Sequence, residues 1–442
     1  MCVDDMEKPF EVKEFDSIIC NSDYSDNKKY KYIPKKEFDN LLNFIHEFTG
    51  TEEDNDVLRF MNISYKRNLG DVITLKNYVG LIQTKKGFQL QVLPKISFRN
   101  RNDEGNTLTK RIFLKMLRSM KDFPSKVFNE ASLKVDKMNL YELFINMFLQ
   151  EVNHLVKKGI KSAYIKSEDN LRYYKGKLML EQHLRKNLTH KERFYVTYEE
   201  FQPNRPENRL IKATLLKLQN LTTSYENSKR IRQLLIVFEL VKTSRNYHKD
   251  FSNVIINRNT KDYEMLMKWS KIFLLDKSFT TFSGSTTSKA LLFPMETVFE
   301  SYVVQQMKKV MGTDGWDVSS QDKGKYLFTK PRQQFALRPD IVMKKDGRTV
   351  ILDSKWKNLV NNENKNYSIS QSDMYQMYAY SKKYNTSEIW LLYPINDEMW
   401  EHDPIIFESG DKTCVRLHFV DVTNIEENLQ ELRNKLNDYR ED

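Results

Sequence analysis

The segment "RPDIVMKKDGRTVILDSKWKNL", residues 338–359, contains two apolar runs with acids at their outer ends. Asp346-Gly347 stands between two apolar runs, and this dipeptide in that setting is a strong signal for a β-hairpin. If these two residues form the loop, Lys345 faces Arg348, and every further pair along the two strands is fixed. The hairpin therefore predicts which side chains oppose each other at its far end.

The far end of the predicted hairpin places Asp340 opposite Asp353. Directly opposed residues share a face, with Cβ atoms about 4.5–5.5 Å apart. Lys355 lies two residues beyond Asp353 and falls on the same face, whereas Ser354 between them should face the other side of the sheet. Two like charges at opposed positions destabilise a sheet, so these acids call for a compensating group.

A divalent cation would offset the paired acids. Mg²⁺ prefers one or two carboxylates together with waters and phosphate oxygens, which makes Asp340 and Asp353 candidate metal ligands. The Lys355 ammonium could orient or help to deprotonate a water, and could stabilise charge that develops on phosphorus. The pattern favours phosphodiester chemistry; the alternative is a surface hairpin whose charges are merely solvated.

A helix is predicted before the hairpin, over residues 294–312, with Pro294 near its start and Gly312 at its end. Glu296 and Glu300 lie one turn apart on this helix. Either of them could supply a further carboxylate to the acids of the hairpin. Without a site beside them, both would be ordinary surface residues.

A second helix is predicted after the hairpin, over residues 370–384. It holds Gln376 and Tyr380, a QxxxY pair that shares a helix face with Asp373 in the first turn. With a strand at 388–394, the order α-β-β-β-α-β predicts a mixed α/β domain of about 150 residues. The three strand-like runs between the helices cover residues 325–329, 335–343 and 349–356.

The whole chain is predicted to be a multidomain protein of the α+β and α/β classes. Residues 1–135 form a β-rich N-terminal region, residues 136–281 a helical basic region, and residues 282–442 a mixed sheet flanked by helices. Finer predictions are strands within 72–96 with a turn at Lys85-Lys86-Gly87, helices at 108–120 and 140–159, and a linker at 282–290, "FSGSTTSKA".

The charge balance suggests a polyanionic partner. The chain of 442 residues has 71 Lys and Arg against 60 Asp and Glu, a formal net charge of +11. Such an excess favours nucleic acid ahead of membrane, although a lysine-rich genome composition is an alternative explanation. In "YYKGKLMLEQHLRKNL" (173–188) and "FQPNRPENRLIKATLLKL" (201–218), basic residues mix with Tyr and Phe. This mixture suits phosphate contact with base stacking, and equally suits amphipathic helices with solvated lysines.

Several function classes are disfavoured by what the sequence lacks. The three cysteines, Cys2, Cys20 and Cys414, have no zinc-site spacing. Acids occupy the place of a signal peptide's basic segment, and no window has the roughly 18 apolar residues of a membrane span. A reduced cytoplasmic protein is therefore expected. The absence of a GxxxxGK[ST] loop indicates that this chain does not itself hydrolyse nucleotide.

The segments "LRPDIV…ILDSKWK" and "SDMYQMYAY" resemble the PD-(D/E)XK nuclease core, in the form carried by McrC. McrC is the nuclease subunit of McrBC-type modification-dependent restriction systems, which act in phage defence. The N-terminal "LKNYVGLIQTKKGFQLQVLPKI" and the two middle segments quoted above also resemble this family, so the resemblance covers roughly residues 70–395. It assigns catalytic roles to Asp340, Asp353 and Lys355, with Glu300, Gln376 and Tyr380 in support.

The resemblance also implies a partner. McrC-like subunits work with a hexameric McrB-like AAA+ motor, which hydrolyses GTP, recognises modified double-stranded DNA and translocates. The partner of this chain would use either GTP or ATP. The McrC-like subunit stimulates the motor and cuts, and two complexes could dimerise for a double-strand cut. Residues 1–280 are expected to bind and stimulate the motor by themselves. Two other functions remain open: a self-sufficient RecB-like repair nuclease, and a non-catalytic activator of the motor.

Overall fold

The computed structural model describes two units of the chain, each with its own contacts. The described residues are 9–49, 60–84, 86–99, 105–121, 123, 140–275 and 289–438. One unit comprises residues 140–275, and the other combines the described residues up to 123 with residues 289–438. The predicted boundaries at 135/136 and 281/282 fall outside the described residues and stay predictions, as does most of the predicted linker.

The N-terminal part of the second unit is rich in strands. Its elements are β1 (Phe10–Lys13), β2 (Ser17–Ile19), β3 (Tyr30–Tyr32), α1 (Lys35–Thr49), β4 (Met61–Lys66), β5 (Gly70–Leu75), β6 (Tyr78–Gln83), β7 (Gln89–Leu93) and α2 (Gly105–Leu117). Strands β2 to β5 form one sheet, in the order β3-β2-β5-β4. Strands β6 and β7 pair antiparallel from Gln83↔Gln89 onward, which confirms the strands predicted within 72–96; Lys85 of the predicted turn lies outside the described residues.

A second N-terminal sheet has the order β1-β7-β6-β11, where β11 (Lys289–Pro294) comes from the far side of the predicted linker. Its close approach to β6 requires glycine: a Cβ on Gly80 would lie 1.9 Å from the carbonyl oxygen of Leu291. A fragment ending at residue 280 lacks this edge strand. This pairing counts against the expectation, stated above, that residues 1–280 act by themselves.

The unit of residues 140–275 is mixed rather than purely helical. Its elements are α3 (Leu140–Lys158), β8 (Ala163–Leu171), β9 (Lys177–Leu178), α4 (Leu180–Asn187), β10 (Phe194–Gln202), α5 (Pro206–Gln219), α6 (Tyr225–Val237), α7 (Tyr247–Ser252) and α8 (Glu264–Leu274). Phe144 of α3 packs on Trp269 of α8 in its core. The sheet β8-β10-β9 was not predicted because β8, "AYIKSEDNL", buries neither face and so has no apolar alternation.

The C-terminal part of the second unit is built around a six-stranded sheet. Its elements are α9 (Met295–Gly312), β12 (Asp317–Ser320), β13 (Lys325–Phe328), β14 (Gln334–Leu337), β15 (Ile341–Lys345), β16 (Arg348–Ser354), α10 (Gln371–Tyr384), β17 (Glu388–Pro394), β18 (Ile406–Glu408), β19 (Cys414–Val420) and α11 (Ile425–Asp438). The strand order of the sheet is β12-β15-β16-β17-β19-β18. Helix α10 covers one face, and α9 and α11 pack together and against β16 and β19.

The predicted hairpin is confirmed, with its register. Strands β15 and β16 pair antiparallel from Lys345↔Arg348 to Ile341↔Leu352. Both loop residues have positive φ, 50° for Asp346 and 84° for Gly347, which is the conformation of a two-residue type I′ turn. Beyond β16 the pairing becomes parallel, to β17 and then β19.

The single strand predicted over 335–343 is two strands in two sheets. Strand β14 pairs with β13 in a separate hairpin, and β15 enters the large sheet after a break at residues 338–340. Pro339 accounts for the break because proline cannot donate a ladder hydrogen bond. The predicted order also lacked β12 and the tail elements β18, β19 and α11. Within the described ranges, no helix combines the length and apolarity needed to cross a bilayer.

Candidate active site

Asp340 stands just before the first paired residue of β15, at the end of the hairpin away from its turn. Its Oδ2 atom accepts hydrogen bonds from the backbone N–H of Ser354, at 2.8 Å, and from the Ser354 hydroxyl, at 2.6 Å. The prediction that Ser354 faces the other side of the sheet is therefore wrong for its hydroxyl. Asp340 lies outside the pairing of β15 with β16, and its carboxylate bonds to Ser354, the last residue of β16.

Asp353 and Lys355 meet as their two-residue spacing predicts. The Lys355 Nζ atom lies 2.5 Å from Oδ2 of Asp353, whose side chain is almost fully buried. Lys355 follows the last residue of β16, but its N–H still bonds to the carbonyl of Leu392 on β17, at 2.9 Å. The sheet therefore holds the backbone that carries the lysine.

The QxxxY pair on α10 also joins the site. Gln376 Oε1 accepts a hydrogen bond from Lys355 Nζ at 3.2 Å, and Gln376 Nε2 donates to the Tyr380 hydroxyl at 2.8 Å. Asp373, one turn earlier, bonds instead to Lys357 Nζ at 2.8 Å, a partner that was not predicted. The helix face predicted from the sequence thus contacts two lysines of the same segment.

Of the two glutamates on α9, Glu300 is the one beside the acids. Burial and then the charge of Asp340 raise the pKa of Glu300, and its Oε1 accepts a hydrogen bond from Gln321 at 2.9 Å. Glu296 is exposed to solvent. Gln321 was missed by the sequence analysis; its backbone N–H also bonds to the carbonyl of Asp340, at 3.1 Å, so it connects α9 to the start of β15.

The electrostatics of the site show an excess of buried negative charge. Burial, and next the neighbouring Asp340, raise the pKa of Asp353 to about 7. Burial also raises the pKa of Asp340, against the Ser354 hydrogen bonds that lower it. Burial alone would lower the pKa of Lys355, but the surrounding carboxylates, Asp353 foremost, outweigh it and raise the pKa. The Lys355 ammonium therefore interacts with several carboxylates at once.

This donor set fits a hard divalent cation. Two carboxylates that penalise each other's charge gain from a second positive charge between them. In the described part of the chain, no group of three or more His, Cys, Asp or Glu side chains is arranged to hold a metal. A two-carboxylate site suits Mg²⁺, which keeps several waters and takes phosphate oxygens, better than it suits zinc, which takes four protein ligands in structural sites and three in catalytic ones.

The candidate site thus consists of two acids and a lysine at the end of a hairpin, in a mixed sheet flanked by helices. The family described as "McrBC 5-methylcytosine restriction system component" matches residues 73–394. The chain therefore belongs to this family. The resemblance to its McrC subunits, stated above from sequence segments, is confirmed.

One solved structure shows the same fold. One chain of a refined half-complex from the tetradecameric assembly of Thermococcus gammatolerans McrB AAA+ hexamers with bound McrC is similar over 97% of this chain and 100% of that chain. The TM-score is 0.69 and the identity 19%, which shows the fold alone. A chain of the cryo-EM structure of the T. gammatolerans McrBC complex matches 69% of this chain and 88% of that chain, at 18% identity and a TM-score of 0.48. No curated protein matches significantly.

Proposed function

We propose that this chain is the Mg²⁺-dependent DNA endonuclease subunit of an McrBC-type restriction system. The observation that carries the proposal is the convergence of Asp340, Asp353 and Lys355 at one end of the hairpin. A buried pair of acids destabilises the sheet that bears it, so a chain under selection for stability alone would not keep it there. Phosphodiester hydrolysis gives each of the three groups a task.

The side chains would act as follows. Asp340 and Asp353 would hold Mg²⁺, which polarises a phosphate oxygen and lowers the pKa of a bound water. The Lys355 ammonium would donate a hydrogen bond to the attacking water or to the phosphate oxygen on which charge develops. Gln376 accepts from the same ammonium and is itself bonded to Tyr380, so these two residues would fix the direction in which Lys355 points.

Cutting would depend on an AAA+ NTPase partner whose hydrolysis this chain stimulates. The family match extends well outside the nuclease core, and the similar half-complex contains McrB AAA+ hexamers with bound McrC. Both findings favour a partner-dependent subunit over a self-sufficient repair nuclease. The complete set of acids, lysine and glutamine favours a catalytic subunit over a silent activator.

The test is cleavage of 5-methylcytosine-containing double-stranded DNA by the full chain, with its AAA+ partner, Mg²⁺ and GTP or ATP. We expect cleavage that requires Mg²⁺ and is lost in Asp353→Asn, a variant that keeps the size of the side chain. Cleavage by Asp353→Asn at the wild-type rate would overturn the proposal. Rapid, nucleotide-independent cleavage by the chain alone would instead support the repair-nuclease function.

A further inference from the structure

A buried carboxylate of the N-terminal sheet reaches to within one residue of the candidate catalytic lysine. Glu14 follows β1, its backbone N–H bonds to the carbonyl of Leu93, and its side chain is fully buried. Both of its carboxylate oxygens accept from the indole Nε1 of Trp356 at 2.9 Å, across 342 residues of sequence. Nothing in the proposed chemistry uses this contact.

Trp356 is linked to two residues of the site, in each case through a sequence neighbour. It is next to Lys355 in sequence, so the position of its ring constrains the backbone that carries the ammonium. Its ring packs on that of Phe299, with the centroids 5.1 Å apart, and Phe299 precedes Glu300 on α9. Trp356 is therefore the sequence neighbour of Lys355, and its buried ring contacts the sequence neighbour of Glu300.

We propose that Glu14 is a positioning residue for the nuclease site, which it supports by holding the Trp356 indole against Phe299. The inference rests on the proposed nuclease function. In this proposal the N-terminal sheet helps to set the geometry of Lys355 and Glu300. A displacement of β1 would therefore change the positions of these two side chains.

A purely structural role explains the contact less well. Burying a carboxylate is expensive, and a Gln or an apolar residue would pack at lower cost. The carboxylate presents two oxygens to one indole N–H and to the Lys95 backbone N–H, at 2.8 Å, and so fixes the ring more tightly than one neutral acceptor would. Orientation of a ligand-bearing segment by outer hydrogen bonds commonly affects metal affinity or activity roughly 10- to 100-fold.

The experiment compares Glu14→Ala with a matched control on the same strand. Glu11 of β1 also places its carboxylate in hydrogen bonds and an ion pair, with Gln91 and Lys110, but has no contact with Trp356. For each full-length variant, folded fraction and Tm are measured first. DNA cleavage with the AAA+ partner then gives kcat and KM, and calorimetric titration with Mn²⁺ gives metal affinity without any cleavage step.

Glu14→Ala is expected to lower kcat per folded molecule about tenfold and to weaken Mn²⁺ binding, with KM for DNA nearly unchanged. Glu11→Ala should change neither value. Glu14→Gln should restore much of kcat, because its amide oxygen still accepts from the indole. Trp356→Phe keeps the ring on Phe299 but removes the N–H, so it should reproduce Glu14→Ala and give a second test if Glu14→Ala does not fold.

Unchanged kcat and unchanged Mn²⁺ affinity in folded Glu14→Ala or Trp356→Phe would overturn the positioning role. An equal loss in the Glu11→Ala control would do the same, because it would point to general destabilisation. Failure of the nuclease function gives a different result: wild type and Asp353→Ala would then bind Mn²⁺ equally, and neither would cut.

Discussion

The ammonium of Lys355 lies 2.5 Å from the carboxylate of Asp353 and donates to the side-chain oxygen of Gln376 at 3.2 Å. Two elements that are adjacent in space but separate in sequence, β16 and α10, thereby fix one charged group. The ion pair also shows that Asp353 keeps a partner for its charge despite its burial. Lys355 is thus held by the very acid that it would assist in phosphodiester hydrolysis.

Replacing Asp353 by Ala should abolish cleavage and leave the fold intact. The variant would lose a proposed metal ligand, and we expect kcat to fall by at least about a hundredfold, since even outer partners of metal ligands cost roughly 10- to 100-fold. Stability should be unchanged or higher near neutral pH, because the raised pKa of Asp353 marks its ionised form as strained by burial. Thermal unfolding and a Mg²⁺-dependent nicking assay measure the two effects; wild-type nicking would refute the assignment.

The two glutamates of α9 form a matched pair for a second test. Glu300→Gln should raise the Mg²⁺ concentration needed for half-maximal cleavage. The charge of Asp340 raises the pKa of Glu300, so the two carboxyl groups are close enough to interact with the same cation. Glu296→Gln should leave it unchanged, since Glu296 is exposed one turn away. A Mg²⁺ titration of cleavage by both variants measures this difference in metal requirement. Equal behaviour of the two would mean that no carboxylate of α9 assists the metal.

The chain alone should cut DNA poorly. With the AAA+ partner and hydrolysable nucleotide, cleavage should rise by at least about tenfold, a gain of roughly 1.4 kcal/mol in activation free energy. A non-hydrolysable analogue in place of the nucleotide is the control. Full-length Asp353→Ala should still stimulate NTP turnover by the partner, because the substitution removes only the cutting chemistry. Turnover unaffected by either protein would contradict the partnership.

A fragment of residues 1–280 should not fold stably. It lacks β11, which pairs with β6 over six residues, and it lacks Trp356, which satisfies the buried Glu14 carboxylate. Circular dichroism and hydrogen exchange should show weak protection in β6 and a Tm well below that of the full chain. Cooperative unfolding at the full-length Tm would show that β6 does not need this partner strand.

Glu14 should make the full chain less stable as pH rises toward 8. Burial, opposed by the Lys95 N–H and the Trp356 hydrogen bond, raises its pKa from 4.5 to about 7. Between these values the folded state holds a proton that the unfolded state has lost, so this contribution is fully present below pH 4.5 and is lost as pH rises through 7. The total corresponds to roughly 3 kcal/mol. Denaturant unfolding of Glu14→Gln should show a flatter pH dependence across this window; identical curves would contradict the expectation.

The parts of the site that could be predicted are those fixed by local rules. The Asp346-Gly347 turn set the register, the two-residue period placed Lys355 beside Asp353, and the helical period placed Gln376 next to Tyr380. Turn chemistry and periodicity act over a few residues, so they are visible in the sequence.

The parts that could not be predicted depend on contacts distant in sequence. Nothing local to Gln321 shows that it bonds to Glu300, and nothing local to Glu14 shows that Trp356 is its partner. Pro339 ends the strand pairing just before Asp340, which is a local effect. The resulting hydrogen bonds between Asp340 and Ser354 join residues on two strands and could not be predicted from the local sequence. The assigned catalytic roles themselves stay predictions until the variants are assayed.

The pairing of β11 with β6 has a consequence for how the chain is made. About 200 residues separate Gln83 from its partner Lys289, so the ribosome exposes the edge of β6 long before the strand that covers it exists. At roughly 5–20 residues per second, that interval lasts about 10–40 s. An unpaired edge is a template for association with other chains. Because α9 follows β11 directly, the acids of the candidate site can assemble only after this interval, and the nascent chain cannot carry the complete candidate site before then.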